Sequence, residues 1–381
     1  MLITLIAFLA ILGLLVLVHE WGHFYVARRA GVTVEEFGLG LPPRAIGYYK
    51  NEQGVWQKAD RKQMTAPSTI YSLNWTPLGG YVRIKGEDGQ NMDHPDSFAT
   101  KSIPKRLAII AAGVIMNILL AMVLFGIIFT VGAPQVMEPG ATLPGYARVT
   151  DPRIVVVDVL PDAPASQAGI IFKDEIVAVN SVPVNSFEAF QQSVENQGEA
   201  MTVTIKREGS LQDISVTPEI LSQTDRPGIG VSLATIATVS YPWYIAWWQG
   251  IITTLQLIGA IVVGFYQIIA QLVTAGEMVG EVYGPVGIAS LVGEATRMGF
   301  LYVVQFAATL STIIAVMNLL PIPALDGGRI VFLLIEAVRG KAMNQKLEAV
   351  IHNIGFMALM ALIAVVTFND FARIFGKLFG G

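Results

Sequence analysis

Five stretches of the chain carry no charged residue: 1–18, 107–137, 240–276, 298–325 and 349–369. Each is long enough, or nearly so, to cross about 30 Å of hydrocarbon as a helix. Polar positions gather in two regions between them. Residues 28–106 form one. The other, 133–240, shows short apolar, β-branched runs at 154–160, 175–180, 201–206 and 214–217, separated by turn residues, with a helical stretch at 187–196. This pattern predicts a polytopic α-helical membrane protein carrying a small inserted α+β domain.

Charge then orients the spans. Twelve of the 25 Lys and Arg residues lie in 28–106, while 133–298, about twice as long, holds seven. The positive-inside rule places the first loop in the cytoplasm, and the N-terminus and 133–240 outside it. The basic link of Arg339, Lys341 and Lys346 is then cytoplasmic again. Residues 1–18 sit where a signal peptide would. They lack a basic n-region and an A-x-A site, and His-Glu follows directly, so they read as a retained span.

Composition narrows the chemistry. Charged residues make up 14% of the chain, against about 25% in soluble domains, which excludes a soluble enzyme and a disordered chain. A net charge of −4 leaves no basic field for nucleic acid. There is no cysteine, so any metal must be held by His, Asp or Glu, and only His19, His23, His94 and His352 are present. His94 reads as a surface residue, and His352, at the start of the last span, as interfacial.

His19-Glu20-Trp21-Gly22-His23 closes the first span. In a helix, positions i and i+4 share one face about 6 Å apart along the axis, so both imidazoles can reach one zinc ion, with Glu20 placed as general base. A catalytic zinc wants three protein ligands. Asp326 is a lone carboxylate between an apolar span and paired glycines, in the run Asn318-Leu319-Leu320-Pro321-Ile322-Pro323-Ala324-Leu325-Asp326-Gly327-Gly328. The prolines break the helix and let Asp326 enter a polar cavity. Topology adds a condition. Asp326 shares the depth of His19 and His23 only if the chain makes no net crossing between the second and third spans. Residues 240–276 must then lie along the surface or re-enter, which suits their Tyr241, Trp243, Tyr244, Trp247 and Trp248 cluster.

H-E-x-x-H in a first span with N-x-x-P-x-P-x-L-D-G in a late one resembles the site-2 protease family of intramembrane zinc metalloproteases, in its bacterial RseP/RasP-like branch. Pro77-Leu78-Gly79-Gly80-Tyr81-Val82 is similar to the family's membrane-associated β element. Gly113-Val114-Ile115-Met116-Asn117 is similar to its G-x-x-x-N, and 153–219 resembles a PDZ domain. The resemblance implies zinc held by His19, His23 and Asp326, with Glu20 as catalytic base. It implies that Asn117 and Asn318 hold or orient substrate, and that an edge strand at Gly79, Gly80 and Tyr81 pairs with it. It also implies a PDZ-like domain acting as a size filter. The sequence departs from the usual pattern within that domain, where a G-D turn reads Lys173-Asp174 and a later Gly is Ser181.

The expected architecture has about four transmembrane helices. They are 1–27 with HExxH, 104–135, 298–338 with NxxPxPxLDG, and one within 339–381. A cytoplasmic loop with the β element fills 28–103, an extracytoplasmic PDZ-like region 136–238, and an amphipathic interfacial segment 239–297. The expected function is regulated intramembrane proteolysis in the bacterial inner membrane. The expected substrates are single-span proteins already cut outside: anti-sigma factors in a sigma-factor stress response, or remnant signal peptides. A PDZ-bearing membrane adaptor with a non-catalytic metal site is the alternative. An ion transporter would want polar groups along several spans, and the other spans have almost none.

Overall fold

The computed structural model describes residues 2–87, 93–137, 144–184, 186–195, 199–207, 209–221, 226–275, 283–341 and 343–379. Asn196, expected to close a helix, lies outside them. The chain divides into two compact units, 1–125 with 249–381 and 126–248.

The first unit opens with α1 (Leu2–Arg29). Gly31, at φ +74°, stops it: Val32 N–H reaches back to the Ala27 carbonyl at 2.9 Å and Gly31 N–H to that of Arg28 at 3.1 Å. These paired bonds satisfy carbonyls that the helix end leaves open, and the left-handed residue they require is glycine. β1 (Val34–Lys50), β2 (Trp56–Lys58) and β3 (Ile70–Ile84) follow in a sheet ordered β2-β1-β3, so β3 is an edge strand. Val34 stands opposite Ile84 and Leu39 opposite Gly80. Arg44 and Glu36 are buried in this sheet and bonded at 2.8 Å. Arg44 spends further donors on the carbonyls of Asp60 and Gln63, so its charge is not left uncompensated. α2 (Ile103–Val131) packs tightly on α1. A Cβ on Gly22 would collide with Ala112, the kind of small-residue contact that lets membrane helices approach. Phe24, Ala27, Val34, Phe37, Ile84, Ile109 and Ile110 share one core, fastening the sheet to α1 and α2.

The second unit contains β4 (Ala133–Met137), β5 (Arg148–Val159), α3 (Pro164–Gln167), β6 (Glu175–Val179), β7 (Val182–Pro183), α4 (Phe187–Glu195), β8 (Met201–Arg207), β9 (Ser210–Val216), β10 (Glu219–Leu221), β11 (Arg226–Gly228) and β12 (Val231–Ser240). Its main sheet runs β4-β12-β5-β6-β8-β9, with β7 beside β6. β4 and β12 lie outside the expected 153–219, so the unit is larger than turn spacing alone suggested. Met201, Val203 and Ile205 alternate inward on β8 and meet Ile154, Val156, Ile176 and Phe190 in one core. Each large side chain so buried contributes about 1.5–3 kcal/mol. Lys173 and Ser181, where glycines were expected, hold φ +74° and +63°. The turns keep their left-handed form at a cost of about 1–2 kcal/mol each. Asp174 secures the first turn by accepting Ile171 N–H at 2.9 Å and Arg207 Nε–H at 2.7 Å.

Returning to the first unit, the chain forms α5 (Trp243–Ala275), α6 (Pro285–Met298), α7 (Phe300–Leu319), α8 (Asp326–Arg339) and α9 (Gln345–Phe379). One expectation changes. The span expected over 298–338 is two helices, because Pro321 and Pro323 cannot continue α7 and a new helix starts at Asp326. Five described helices are long and apolar enough to cross a membrane, matching the five charge-free runs: Leu2–Arg29, Ile103–Val131, Trp243–Ile268, Phe300–Leu319 and Lys346–Arg373. One of them, Trp243–Ile268, is the segment expected at the interface. The tryptophan cluster of α5 occupies only the first two turns, and Gln249, Thr253, Thr254, Gln256, Gln267 and Gln271 interrupt the apolar remainder. α6 was not foreseen; Val292 joins Ile11, Leu15, Ala307 and Leu310 in a core between α1, α6 and α7.

Candidate metal centre and its cavity

His19 and His23 lie one turn apart on α1, and the helical spacing sets both rings on the face that meets α2 and α8. Their Nε2 atoms are 3.2 Å apart. Asp326 Oδ2 lies 3.2 Å from His19 Nε2 and 3.4 Å from His23 Nε2. The facing residue of α2 is Gly113, whose Cβ would strike both imidazoles, so α2 leaves the rings room to converge.

These atoms fit a metal. A tetrahedral ion with bonds of about 2.1 Å has ligand–ligand edges of about 3.4 Å. His23 Nδ1 is 2.9 Å from the Ile109 carbonyl. That carbonyl can only accept, so the proton sits on Nδ1 and the Nε2 lone pair points at the cluster. Asp326 Oδ2 is buried with no donor aimed at it. Three lone-pair atoms facing one point repel one another unless a cation lies among them.

α8 puts Asp326 there by close packing. A Cβ on Gly327 would collide with the Leu319 and Leu320 carbonyls, and one on Gly328 with that of Ile322. The paired glycines thus let the first turn of α8 fold flat on the proline break. His352 takes part in this turn: its Nδ1 accepts Ala324 N–H at 3.2 Å, across from α9. Gly355 lets α9 come close enough, since a Cβ there would meet Pro323.

A cavity of about 220 Å³ opens beside the cluster. His19, Glu20, His23, Asp326 and Arg329 line one side, and Gly80, Tyr81, Val82, Ile84 and Glu87 the other. Gly80 presses its backbone on Glu20; a Cβ there would strike the Glu20 side chain and Val16. Gly79 takes φ +91° and turns away toward Leu41. Burial pushes the Tyr81 phenol up from its ordinary pKa, and its hydroxyl lies beside Arg83.

The two asparagines stand apart from the open cavity. Asn117 is fully buried behind His19, its amide nitrogen 3.4 Å from His19 Nδ1. Its Oδ1 has no partner in this orientation. The two ends of an amide have the same shape, and turning this one over lets Oδ1 accept the Nδ1 proton and frees His19 Nε2 for metal. Asn318 is half-buried in the last turn of α7 and does not line the cavity. His94 is exposed, near Asp96. The pairing of Arg329 with Glu87 was missed. A cation one helical turn after Asp326 was a legible signal; its partner, 242 residues away, was not.

A family model described as peptidase family M50 matches residues 7–362. A relative from Clostridium acetobutylicum is 33% identical over 94% of each chain. Zinc metalloprotease RasP of Oceanobacillus iheyensis is 28% identical, over 98% of this chain and 99% of that one. Regulator of sigma-W protease RasP of Bacillus subtilis is 29% identical, again over 98% and 99%. Among solved structures, the PDZ domain of an SdrC-like protein from Listeria monocytogenes matches 23% of this chain and 92% of its own, at 20% identity and a TM-score of 0.21.

Proposed function

Given that this chain belongs to peptidase family M50 and is a zinc metalloprotease of the site-2 type, we propose that it cuts single-span membrane proteins within their transmembrane segments, after a first cut outside the membrane. The observation that carries this reading is the convergence of His19 Nε2, His23 Nε2 and Asp326 Oδ2 at 3.2–3.4 Å, with Glu20 lining the same cavity.

His19, His23 and Asp326 would hold the zinc, with Asn117 orienting His19. When bound, zinc supplies Lewis acidity toward the scissile carbonyl and the attacking water. Glu20 takes a proton from that water and returns it to the leaving amide nitrogen. A helical peptide bond is bonded internally and shielded. The Gly80–Ile84 edge offers an unwound segment new backbone partners beside the cluster.

Substrates of this class include anti-sigma factors and remnant signal peptides; the Bacillus subtilis relative is by name a regulator of sigma-W. The basic 28–106 loop supports a cytoplasmic-side site in the bacterial inner membrane. The levels of the helices support a chain with no net crossing between α2 and α6. His352 and Asp370 are 18 residues apart on α9, about 27 Å, the first beside Ala324 and the second at the start of α6. Gly293 of α6 touches Thr4, at the end of α1 away from the cluster and on the side toward which α2 runs.

The test is Glu20→Gln in the purified, zinc-loaded protein, with a trimmed single-span substrate. Zinc content should stay stoichiometric and cleavage fall by at least about a hundredfold, the scale of a lost general base. Full cleavage by that variant rejects the mechanism, and zinc binding without cleavage by the unaltered protein favours the adaptor reading.

A further inference from the structure

Among the described residues, Arg329 is the only Lys or Arg lining the cavity, where the acids are Glu20, Glu87 and Asp326. It is the first residue of α8 after Asp326 to carry a side chain, since Gly327 and Gly328 intervene. Three residues on, it shares the Asp326 face of the helix. Its Nη1 is ion-paired with Glu87 Oε1. Glu87 follows β3 by three residues, so the pair joins the strand-edge wall of the cavity to the metal wall.

Resting on the peptidase reading above, we propose that Arg329 is a further substrate-contacting catalytic residue: its guanidinium hydrogen-bonds the scissile carbonyl oxygen as negative charge builds there, and Glu87 is the positioning residue that aims it. As water adds, its O–H bond breaks, a C–O bond forms and the C–N bond then breaks. The moving proton travels through Glu20 to nitrogen. Arg329 gives up no proton, because a guanidinium stays charged throughout. It carries five N–H donors in a rigid fork, and Glu87 engages one corner of it. A donor fixed before the reaction stabilises charge that appears only in the transition state, so the effect falls on kcat. The pairing alone could also be a strut between α8 and β3. A strut needs only a positive charge of about this length, whereas a donor aimed at an oxyanion depends on the reach and direction that the guanidinium fork fixes and a lone ammonium does not.

The experiment compares the full-length, zinc-loaded protein with Glu20→Gln, Arg329→Ala, Arg329→Lys and Glu87→Gln, on a trimmed single-span substrate, with zinc content read alongside. Arg329→Ala should lose about 100- to 1,000-fold in kcat, the scale of one lost oxyanion donor, with unchanged zinc. KM should move by less than about threefold, since the contact is made in the transition state. Arg329→Lys should recover less than about a tenth of the rate, and Glu87→Gln should lose about tenfold. Full rate in Arg329→Lys, or an Arg329→Ala effect confined to KM or zinc content, overturns the proposal and leaves a strut. If Glu20→Gln cleaves as well as the unaltered protein, the mechanism proposed for this site falls and this role with it. An active protein whose Arg329→Ala variant keeps its kcat removes this role alone.

Discussion

Two carboxylates in the helical unit sit in opposite surroundings. Asp370 on α9 is 2% exposed and faces donors: Gly287 N–H at 2.8 Å and Gly284 N–H at 3.3 Å, the open N-terminus of α6. A Cβ on Gly284 would come within 2.7 Å of its Oδ2, so glycine is what admits the carboxylate so near. Asp326 instead faces two imidazole nitrogens, at 3.2 and 3.4 Å, which present lone pairs to it once Ile109 and a turned Asn117 hold the ring protons on Nδ1. An acid at membrane depth is a functional candidate by default, yet its neighbours decide its work. Donors complete Asp370, and it fastens one helix to another. Acceptors leave Asp326 incomplete, and only a cation completes it.

The sharpest way to break this contrast is Asp326→Asn. A neutral amide is a far weaker zinc ligand than a carboxylate, so zinc content should drop to a small fraction and cleavage by more than about a hundredfold, exceeding the usual effect of altering a group behind the ligands. Circular dichroism should show the helices intact. Asp370→Ala should do the reverse: stability falls by about 1–3 kcal/mol, for two stranded N–H groups, while bound zinc is unchanged. A variant at 370 that empties the metal site would show the two carboxylates to be one system. A third carboxylate, at the surface, marks the weak end of the series. Lys85 and Thr33 hold Asp96 down from 3.8 to about 2. A lowered folded-state value means its contribution is complete above about pH 4 and lost as pH falls toward 2. The melting temperature of the protein should exceed that of its Asp96→Asn variant slightly at pH 6, and the gap should close by pH 2; for an exposed pair it is small throughout.

What was legible in the chain was local. Four-residue spacing of two histidines on an apolar helix carries its own geometry, and two prolines three to five residues before an aspartate announce a break. Charge-free runs marked where helices would lie, though not whether Trp243–Ala275 crosses, because length and apolarity are the same for a helix lying in the interface and one passing through it. The split of 298–338 was half visible, since the prolines were noticed but the fresh start at Asp326 was not drawn from them. The surroundings of Asn117 and His352 escaped for one reason. Each meets a different helix, and nothing in the residues beside it says which neighbour that helix will present.

The amino-acid sequence alone therefore determined the ligand types, their helical spacing, the breaks and the distribution of charge, all of which depend on residues within a turn or two of one another. Tertiary structure decided how closely Asp326 meets the histidines, what Asn117 faces, and that Arg329 and Glu87 share the cavity. Those outcomes depend on how closely α1, α2 and α8 approach. The approach is set by Gly22, Gly113, Gly327 and Gly328, whose missing side chains matter only once another helix is there to occupy the space.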